Sequence, residues 1–540
     1  MLSNLLFAQN MKDYNGNWKG VAESETVFNL PIEIELSQSN KGVFRLSNPN
    51  FKIKKDFDVI PGKPIQIQIM DNLSFSGYQS EAGLRGFLKA GLLFYHIDFI
   101  KRSDGKYEGV WNMLFVDKLK SKTLYLSVED GSEDDYQAYP FFADNRFTGT
   151  WCGNFQKEGD KLNFFDLKIG LNFEGKLLTN KIELEVRLGK HTISKISFEK
   201  YNQDWNYSRF VDEKFDFSKD KSLEELESLI VKDSLINTHS VLISKKGEMI
   251  YEKYFHGYNQ NVPHDTRSAS KSISSAIVGI AKTKGLFEST NQSLFEFLPA
   301  KYQVHKDSLK SAIDLQSLLT MSSGLDAIDF GIKRKSLASE DNYQPTPDWF
   351  ETILKAPMIY KPNTHANYGS ANPALLGLAV DNMVSEPLEL FMDKTLFQKL
   401  GISNYVIQSN AKELPYFGGG MYLTPRDLMK FGNLYLNKGK TDSETILPKK
   451  WVKDSFRNYR VLENTNNKNG YGYFWWHHTY EVNGKTISSI EARGAGGQYI
   501  FVIPSLKSVV VITSGNYRNS KYNQPELILE KYVLPYLVKQ

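Results

Sequence analysis

The second part of the chain, from about residue 222, predicts an α+β fold with an antiparallel sheet at its centre. Strand patterns occur near both ends of this part, at residues 241–243, 249–251, 471–482, 498–503 and 508–513. Asn483-Gly484 follows the first of the late strands, and this dipeptide is a strong signal for a β-hairpin. Helical and loop patterns occupy residues 290–460 in between. This order predicts one sheet formed by both ends of the segment with helices beside it, rather than alternating β/α units.

The first 210 residues predict a separate β-rich, barrel-like region, with boundaries at about residues 13–210. Apolar and polar residues alternate with a period of two at residues 31–36, 65–69 and 182–186, as expected for half-buried strands. Glycine and asparagine residues that favour turns separate these runs.

A weak internal repeat lies in this β-rich region. Residues 16–20 read Gly-Asn-Trp-Lys-Gly, and residues 149–153 read Gly-Thr-Trp-Cys-Gly. Two related modules at 13–140 and 145–210, or one barrel-like domain with a duplicated start, would each explain the repeat. A chance identity between two unrelated strand starts is the third explanation.

A charged stretch at residues 205–222 predicts a linker, so the second domain is expected to span residues 222–540. Residues 1–12 are similar to the end of a secretory signal, with Ala8 before a polar stretch, but they lack a basic segment and a full apolar core. They are therefore interpreted either as a truncated signal, which implies export to the periplasm or the medium, or as the terminus of a cytoplasmic protein.

The composition excludes several classes of function. Hydrophobic residues make up 41% and charged residues 24% of 540 residues, which is typical of a soluble globular protein of two or three domains. The net charge of +4 gives no reason to expect a nucleic-acid partner. No apolar run reaches the roughly 18 residues of a membrane-spanning helix. With Cys152 as the one cysteine and no Cys/His ligand spacing, we expect no metal site and no cofactor.

Ser268 and Lys271 are the first candidates for chemistry. A helix places residues i and i+3 on one face, so the Ser268 hydroxyl and the Lys271 amine can meet. Serine is a weak nucleophile until a base removes its proton, and a neutral lysine can be that base. Four other pairs share the Ser-x-x-Lys spacing: 103/106, 197/200, 218/221 and 409/412. The alternative is a buried helix of small residues, ending near Gly285, with an incidental Ser-Lys pair.

Tyr368 is the candidate for a second proton-handling group, because it lies in a polar loop of small residues before an apolar helix. We expect nearby ammonium groups to favour its phenolate form. The alternative is a tyrosine that only packs, since the chain has 29 tyrosines.

A glycine-rich segment precedes the strand at 498–503 and is the candidate oxyanion site. Backbone without side chains can approach a ligand closely, and N–H groups there could stabilise a carbonyl oxygen that gains negative charge. Its candidate substrate-binding residues are Gly494, Ala495, Gly496 and Gln498. A β-bulge is the structural alternative. Arg493, directly before the glycines, could meet an anionic substrate or form a salt bridge.

Six ordered segments resemble those of the penicillin-binding protein and class C β-lactamase-like serine hydrolases, over about residues 223–540. This family includes carboxylesterases, D-amino-acid peptidases and 6-aminohexanoate-dimer hydrolases. The similar segments are residues 268–271, 318–325, 367–377, 418–428, 471–476 and 493–498.

The resemblance implies a β-lactamase-like fold and a role for each candidate. Ser268 would be acylated, Lys271 would accept its proton, and Tyr368 would share the base role and protonate the leaving group. The N–H groups of Ser268 and Gly497 would form the oxyanion hole. The substrate would be a small-molecule ester, amide or peptide, cleaved through an acyl-enzyme.

Two departures from the family pattern concern the substrate. The second motif is Tyr368-Gly369-Ser370 where Tyr-x-Asn is common, which makes Ser370 a further candidate for substrate binding. The Lys-Thr-Gly motif of β-lactamases is absent, and residues 494–496 stand in its place. This favours an esterase or amidase over a β-lactamase or D,D-peptidase. A catalytically weak binding protein is the remaining alternative.

Two further segments are expected near the site. Residues 326–347 predict a long polar loop between two motifs, and long loops often act as lids. A loop that is only mobile is the alternative. Trp475 and Trp476 could line the pocket, but adjacent strand residues face opposite sides, so one of them is expected in the core.

Overall fold

The computed structural model describes residues 15–21, 25–113, 123–130, 136–142, 152–178, 180–201, 215–465, 469–517 and 519–540. The chain divides into two compact units, residues 1–209 and 210–540. The possible signal remnant at 1–12, residues 149–151 of the repeat and most of the predicted linker lie outside the described residues.

The described part of the first unit is built from antiparallel strands. Their bounds are β1 (Gly16–Val21), β2 (Asn29–Leu36), β3 (Lys41–Asn48), β4 (Phe51–Asp58), β5 (Ile65–Met70), β6 (Leu73–Ser80), β7 (Gly83–Ala90), β8 (Leu93–Lys101), β9 (Tyr107–Asn112), β10 (Thr123–Asp130), β11 (Tyr136–Phe142), β12 (Cys152–Glu158), β13 (Lys161–Asp166), β14 (Leu171–Leu178), β15 (Lys181–Leu188) and β16 (His191–Tyr201).

These strands form two sheets. β1 and β10–β16 form a closed barrel, and β2–β9 form a second sheet in the order β5-β6-β7-β8-β9-β2-β3-β4. The period-two pattern has the expected cause, because Ile182, Leu184 and Val186 of β15 are buried while the residues between them are more exposed. The predicted barrel-like region is confirmed. Because the barrel takes strands from both sides of residues 140–145, its topology marks no module boundary there, and the domain limits stay predictions.

The second unit contains helices between two groups of strands. The strands are β17 (Thr238–Lys245), β18 (Glu248–Tyr254), β19 (His264–Asp265), β20 (Val406–Gln408), β21 (Met421–Leu423), β22 (Arg460–Val461), β23 (Gly470–Gly472), β24 (Trp475–Val482), β25 (Lys485–Gly494), β26 (Gln498–Ile503) and β27 (Ser508–Ser514). The helices are α1 (Lys221–Val231), α2 (Ser270–Thr283), α3 (Leu315–Leu319), α4 (Glu340–Tyr343), α5 (Trp349–Lys355), α6 (Ala371–Met383), α7 (Leu388–Met392), α8 (Pro425–Leu436), α9 (Lys449–Ser455), α10 (Gln524–Ile528) and α11 (Leu534–Lys539).

The main sheet of this unit has the order β18-β17-β27-β26-β25-β24-β23-β22. Neighbouring strands are antiparallel, and strands from both ends of the unit meet where β17 pairs with β27. The Asn483-Gly484 turn joins β24 to β25 as a hairpin. The predicted α+β arrangement is therefore confirmed.

Helices cover both faces of this sheet. Leu223 and Leu226 of α1 pack in one core with Val241 of β17, Val510 of β27 and Leu534 of α11. On the other face, α8 approaches so closely that a Cβ added to its Gly432 would lie 2.5 Å from the Val509 side chain. Burying a Leu or Val side chain stabilises the folded state by roughly 1.5–3 kcal/mol. The two helical layers therefore fix the position of the sheet.

Within the described ranges, we find no helix with the length and apolar character needed to span a membrane. The same residues contain no cluster of three or more His, Cys, Asp or Glu side chains that could hold a metal ion.

Candidate active site

Ser268 lies in a tight turn directly before α2. β19 pairs with β21, and the Thr266 N–H and hydroxyl both donate to the Met421 carbonyl oxygen, at 2.9 and 2.7 Å. Arg267 follows with a φ of 47°, in a left-handed region that residues other than glycine rarely adopt. Its N–H donates to the Asp265 carboxylate over 3.0 Å. These contacts fix the backbone of a half-buried Ser268, and such strained residues are frequent at functional sites.

The structure brings Ser268 and Lys271 together as the i, i+3 spacing predicts. The Lys271 Nζ atom lies 2.8 Å from the Ser268 Oγ atom, to which it donates a hydrogen bond. It also donates to the Gly418 carbonyl oxygen, which belongs to another of the six motif segments. The Lys271 side chain is only 1% exposed. The hydroxyl and the amine are therefore within proton-transfer distance, and the amine is shielded from water.

Tyr368 joins this pair. Lys271 Nζ lies over its ring, 5.1 Å from the ring centre. Burial raises the pKa of the Tyr368 phenol, and Asp329 raises it slightly further, whereas Lys271 and the Ser268 hydroxyl lower it. Lys271 lowers the pKa, as expected of a nearby ammonium group, but the net direction is upward. Desolvation outweighs the charge of Lys271, and the phenol stays protonated at neutral pH.

Aromatic residues hold the Tyr368 ring. Trp476 stacks on it with centroids 5.3 Å apart, and Phe330 lies at 5.3 Å. Trp475 instead points into the core, where it is fully buried against Phe431. One of the two tryptophans thus lies beside the candidate site and the other packs in the core, as expected for neighbours on a strand.

Asp329 and Asn464 are polar neighbours of Tyr368 that the motifs did not identify. The Asp329 N–H donates to the Tyr368 carbonyl oxygen over 3.1 Å. The Asn464 side chain makes two hydrogen bonds to the Tyr368 backbone. It accepts from the Tyr368 N–H at 2.8 Å and donates to the Tyr368 carbonyl oxygen at 3.2 Å. The sequence signal for Asp329 was its position in the 326–347 segment, which the structure places against Tyr368.

Ser370 faces the same carboxylate. Its N–H and hydroxyl donate to Asp329 Oδ2 at 2.8 and 2.7 Å, and the residue is fully buried. A substrate could reach the Ser370 hydroxyl only by displacing Asp329. Its assignment to substrate binding stays a prediction that these contacts do not favour.

The glycine-rich segment reaches the nucleophile turn at its first residue. A Cβ added to Gly494 would lie 2.1 Å from the Thr266 carbonyl oxygen and 3.1 Å from the Ala269 nitrogen. Ala495, the next residue, is exposed. Only glycine permits this close approach of β25 to the turn that holds Ser268.

The later residues of the segment have other neighbours. Gly496 and Gly497 have φ values of 81° and 85°, which glycine readily adopts. An added Cβ would meet the Tyr517 ring at Gly496 and the Ser514 side chain at Gly497. The buried Gln498 amide donates to the Ser514 carbonyl and, at 3.2 Å, to the Tyr517 hydroxyl. Gln498 therefore ties the glycine-rich segment to Ser514 and Tyr517. Its assignment to substrate binding stays a prediction.

Arg493 takes part in an ion-pair network. Its guanidinium lies 2.6 Å from Glu491 and 3.1 Å from Glu526, and its side chain is 13% exposed. Of the two interpretations of this arginine, the structure matches the salt bridge. With two carboxylates already neutralising it, Arg493 is a poor receptor for an anionic substrate.

The Beta-lactamase family model matches residues 224–531 of this chain. The chain belongs to the beta-lactamase family. This membership confirms the predicted family and the predicted class of enzyme, a serine hydrolase related to the β-lactamases. No curated protein matches the chain significantly.

Several solved structures are similar to part of this chain, at low sequence identity. A candidate 6-aminohexanoate-dimer hydrolase from Bacillus anthracis is 18% identical, with a TM-score of 0.48, covering 58% of this chain and 81% of its own. The octameric penicillin-binding protein homologue from Pyrococcus abyssi is 18% identical, with a TM-score of 0.45, covering 58% and 77%. A penicillin-binding protein from Bacillus halodurans is 16% identical, with a TM-score of 0.44, covering 56% and 98%.

Proposed function

We propose that the protein is a serine acyl hydrolase that cleaves an ester or amide through an acyl-enzyme on Ser268. The observation that most directly supports this is the 2.8 Å contact between Lys271 Nζ and Ser268 Oγ in a water-shielded position. Tyr368 adds a second proton-handling group beside the same ammonium. Three groups of this kind in contact are what nucleophilic catalysis by serine requires.

In the proposed reaction, Lys271 in its amine form takes the proton of Ser268 as Oγ bonds to the substrate carbonyl carbon. The bond from that carbon to the leaving oxygen or nitrogen then breaks, and Tyr368 gives the leaving group a proton that Lys271 replaces. Water attacks the acyl ester in the second half, which releases the acid and restores Ser268. The Ser268 proton moves along a contact already present in the site, the 2.8 Å separation between Oγ and Lys271 Nζ.

The raised pKa of Tyr368 supports the acid half of this assignment. A buried phenol that remains protonated at neutral pH has a proton to donate, whereas a phenolate has none. Lys271 is then assigned as the group that accepts the Ser268 proton directly, and Tyr368 as the donor to the leaving group.

The oxyanion hole is assigned to the N–H groups of Ser268 and Gly497. The close approach of Gly494 to the nucleophile turn supports placing this glycine-rich segment beside the reacting carbonyl. Preorganised N–H donors of this kind typically contribute about 10²–10³ in rate each.

The substrate is proposed to be a small neutral ester or amide. β-Lactams and peptidoglycan peptides carry a carboxylate, and the lysine that meets it in β-lactamases is replaced here by Gly494. Arg493 cannot substitute for that lysine, since Glu491 and Glu526 already pair with it. These features favour an esterase or amidase over a β-lactamase or D,D-peptidase.

The test is hydrolysis of p-nitrophenyl butyrate and of nitrocefin by the wild type, Ser268→Ala and Ser409→Ala. Ser409 belongs to another Ser-x-x-Lys pair and is fully buried, which makes it a matched control. We expect ester turnover that only Ser268→Ala abolishes. Equal turnover in all three proteins would contradict the assignment, and nitrocefin turnover faster than ester turnover would favour a β-lactamase.

A further inference from the structure

Asp329 holds the backbone that follows Tyr368 through its own N–H group and through its carboxylate. Asp329 donates its N–H to the Tyr368 carbonyl oxygen over 3.1 Å, and its Oδ2 atom accepts both the Ser370 N–H and the Ser370 hydroxyl. Gly369, between them, lies so close that an added Cβ would be 1.6 Å from the Ala327 carbonyl oxygen. The Tyr368–Ser370 segment therefore rests directly on the loop that contains Asp329.

The Asp329 carboxylate is surrounded by titratable groups from several elements. Glu340 of α4 donates its N–H to Asp329 Oδ1 at 2.9 Å, and its carboxylate repels that of Asp329. Lys271 of α2 attracts the same carboxylate. The negative charge of Asp329 also raises the pKa of the Tyr368 phenol and that of the Tyr343 phenol of α4. Asp329 is thus the charged group that links the loop to the candidate proton-transfer residues.

We propose that Asp329 is a positioning residue that holds Tyr368 over the Lys271 ammonium and beside Ser268. The inference rests on the proposed function, in which Tyr368 transfers a proton. It assigns to the 326–347 loop a role in catalysis, through the alignment of one phenol.

The strength of this support depends on ionisation. Hydrogen bonds to an ionised carboxylate are roughly twice as strong as neutral ones. Burial raises the pKa of Asp329 to about 6, and the negative charge of Glu340 adds to the shift, while Lys271 and the Ser370 hydroxyl oppose it. Below about pH 6, protonation weakens the bonds to Ser370, so turnover decreases as the pH falls through this range.

The experiment compares Asp329→Ala and Asp329→Asn with the wild type in ester hydrolysis across pH 5 to 9. We expect Asp329→Ala to lower kcat about 100-fold with little change in KM, as misplacing a reacting group by about 1 Å does. Asparagine keeps an acceptor for Ser370 and cannot ionise. Asp329→Asn should therefore keep kcat within about tenfold of the wild type at pH 8 and lose the inflection near pH 6.

Asp326→Asn is the matched control. Asp326 is a buried carboxylate of the same loop, and it bonds Arg334 and Ser336 instead of the Tyr368–Ser370 segment. We expect this variant to retain kcat within about threefold and to keep the acid inflection. Melting temperatures of all variants show whether a loss of activity is a loss of fold.

A double-mutant cycle distinguishes positioning from a general structural role. If Asp329 acts through Tyr368, Asp329→Ala should change the residual activity of Tyr368→Phe less than twofold. Losses that multiply would overturn the inference, as would an unchanged kcat and pH profile in Asp329→Asn and Asp329→Ala. Turnover that survives Ser268→Ala would contradict the proposed function itself, which makes the two failures distinguishable.

Discussion

The Lys271 ammonium group lies 5.1 Å from the centre of the Tyr368 ring while it donates a hydrogen bond to the Ser268 hydroxyl. One buried cation therefore contacts both the candidate nucleophile and the candidate acid. Lys271 and Tyr368 lie 97 positions apart in the chain, and they meet here because α6, which follows Tyr368, packs against α2, which carries Lys271. The geometry makes separate predictions for each of the three groups.

Lys271→Ala should lower kcat for p-nitrophenyl butyrate by about 10²–10⁴, because no other amine contacts Ser268 among the described residues. Lys412→Ala is the control, since Lys412 has the same Ser-x-x-Lys spacing but pairs with Asp348. Steady-state kinetics of both variants tests the role. A kcat for Lys271→Ala within threefold of the wild type would show that another group takes the Ser268 proton.

Tyr368→Phe should lower kcat by a similar factor, about 10²–10⁴, since it removes the phenolic proton while leaving the ring stacked on Trp476. Tyr471→Phe is the matched control, because Tyr471 is a buried neighbour of Tyr368 whose hydroxyl has no hydrogen-bond partner among the described residues. The control should remain within about twofold of the wild type. Similar kinetics for Tyr368→Phe and Tyr471→Phe would show that the Tyr368 hydroxyl takes no part in the reaction.

Gly494→Ala should reduce kcat/KM about 10²-fold, because its methyl group would overlap the Thr266 carbonyl oxygen and displace the Ser268 turn. Gly377→Ala in α6 is a comparison at another buried glycine, where the nearest atom would be a Phe417 ring carbon 3.2 Å away. It should retain most of the activity. Full activity in Gly494→Ala would mean that β25 can move away from the Ser268 turn without a loss of kcat/KM.

Asp166 predicts a pH effect on the stability of the first unit. Burial raises its pKa to about 7, against 3.8 for a free aspartate, although the N–H groups of Lys168 and Ile169 oppose the shift. The folded state therefore holds this proton more tightly than the unfolded state. The contribution to the free energy of unfolding is fully present below pH 3.8 and is lost as the pH rises through about 7, by at most about 1.4 kcal/mol per pH unit.

Asp166→Asn tests this sign by thermal unfolding from pH 4 to pH 8. The variant cannot ionise and keeps an oxygen for both N–H donors, so its stability relative to the wild type should rise up to about pH 7 and then level off. Asp160→Asn, at an exposed position, is the control. Its stability should depend on pH in the same way as that of the wild type. A constant difference for Asp166→Asn across this range would contradict the prediction.

The parts of the site that follow from local geometry could be predicted from the sequence. The contact between Ser268 and Lys271 depends on helical spacing alone, and the hairpin at Asn483-Gly484 depends on turn preference. Strand alternation likewise predicted that the first 210 residues are rich in β-strands. Tyr368 was singled out by its polar loop before an apolar helix and by the order of the motifs, and neither observation gives its distance from Lys271.

What the sequence did not reveal depends on tertiary contacts. Asp329 and Asn464 hold the Tyr368 backbone from positions 39 and 96 residues away, and no periodic pattern links them. The sequence indicated that a nearby ammonium lowers the pKa of Tyr368 but not that burial, which raises this pKa, outweighs that effect. Ser370 is a substrate-binding candidate because of its place in the second motif, but its hydroxyl donates a hydrogen bond to Asp329.

The most direct test of the central claim is intact-protein mass spectrometry after incubation with a fluorophosphonate, followed by peptide mapping. We predict one adduct in the wild type, located on Ser268, and none in Ser268→Ala. An adduct on a different residue, or equal labelling of the variant, would contradict the assignment of Ser268 as the nucleophile.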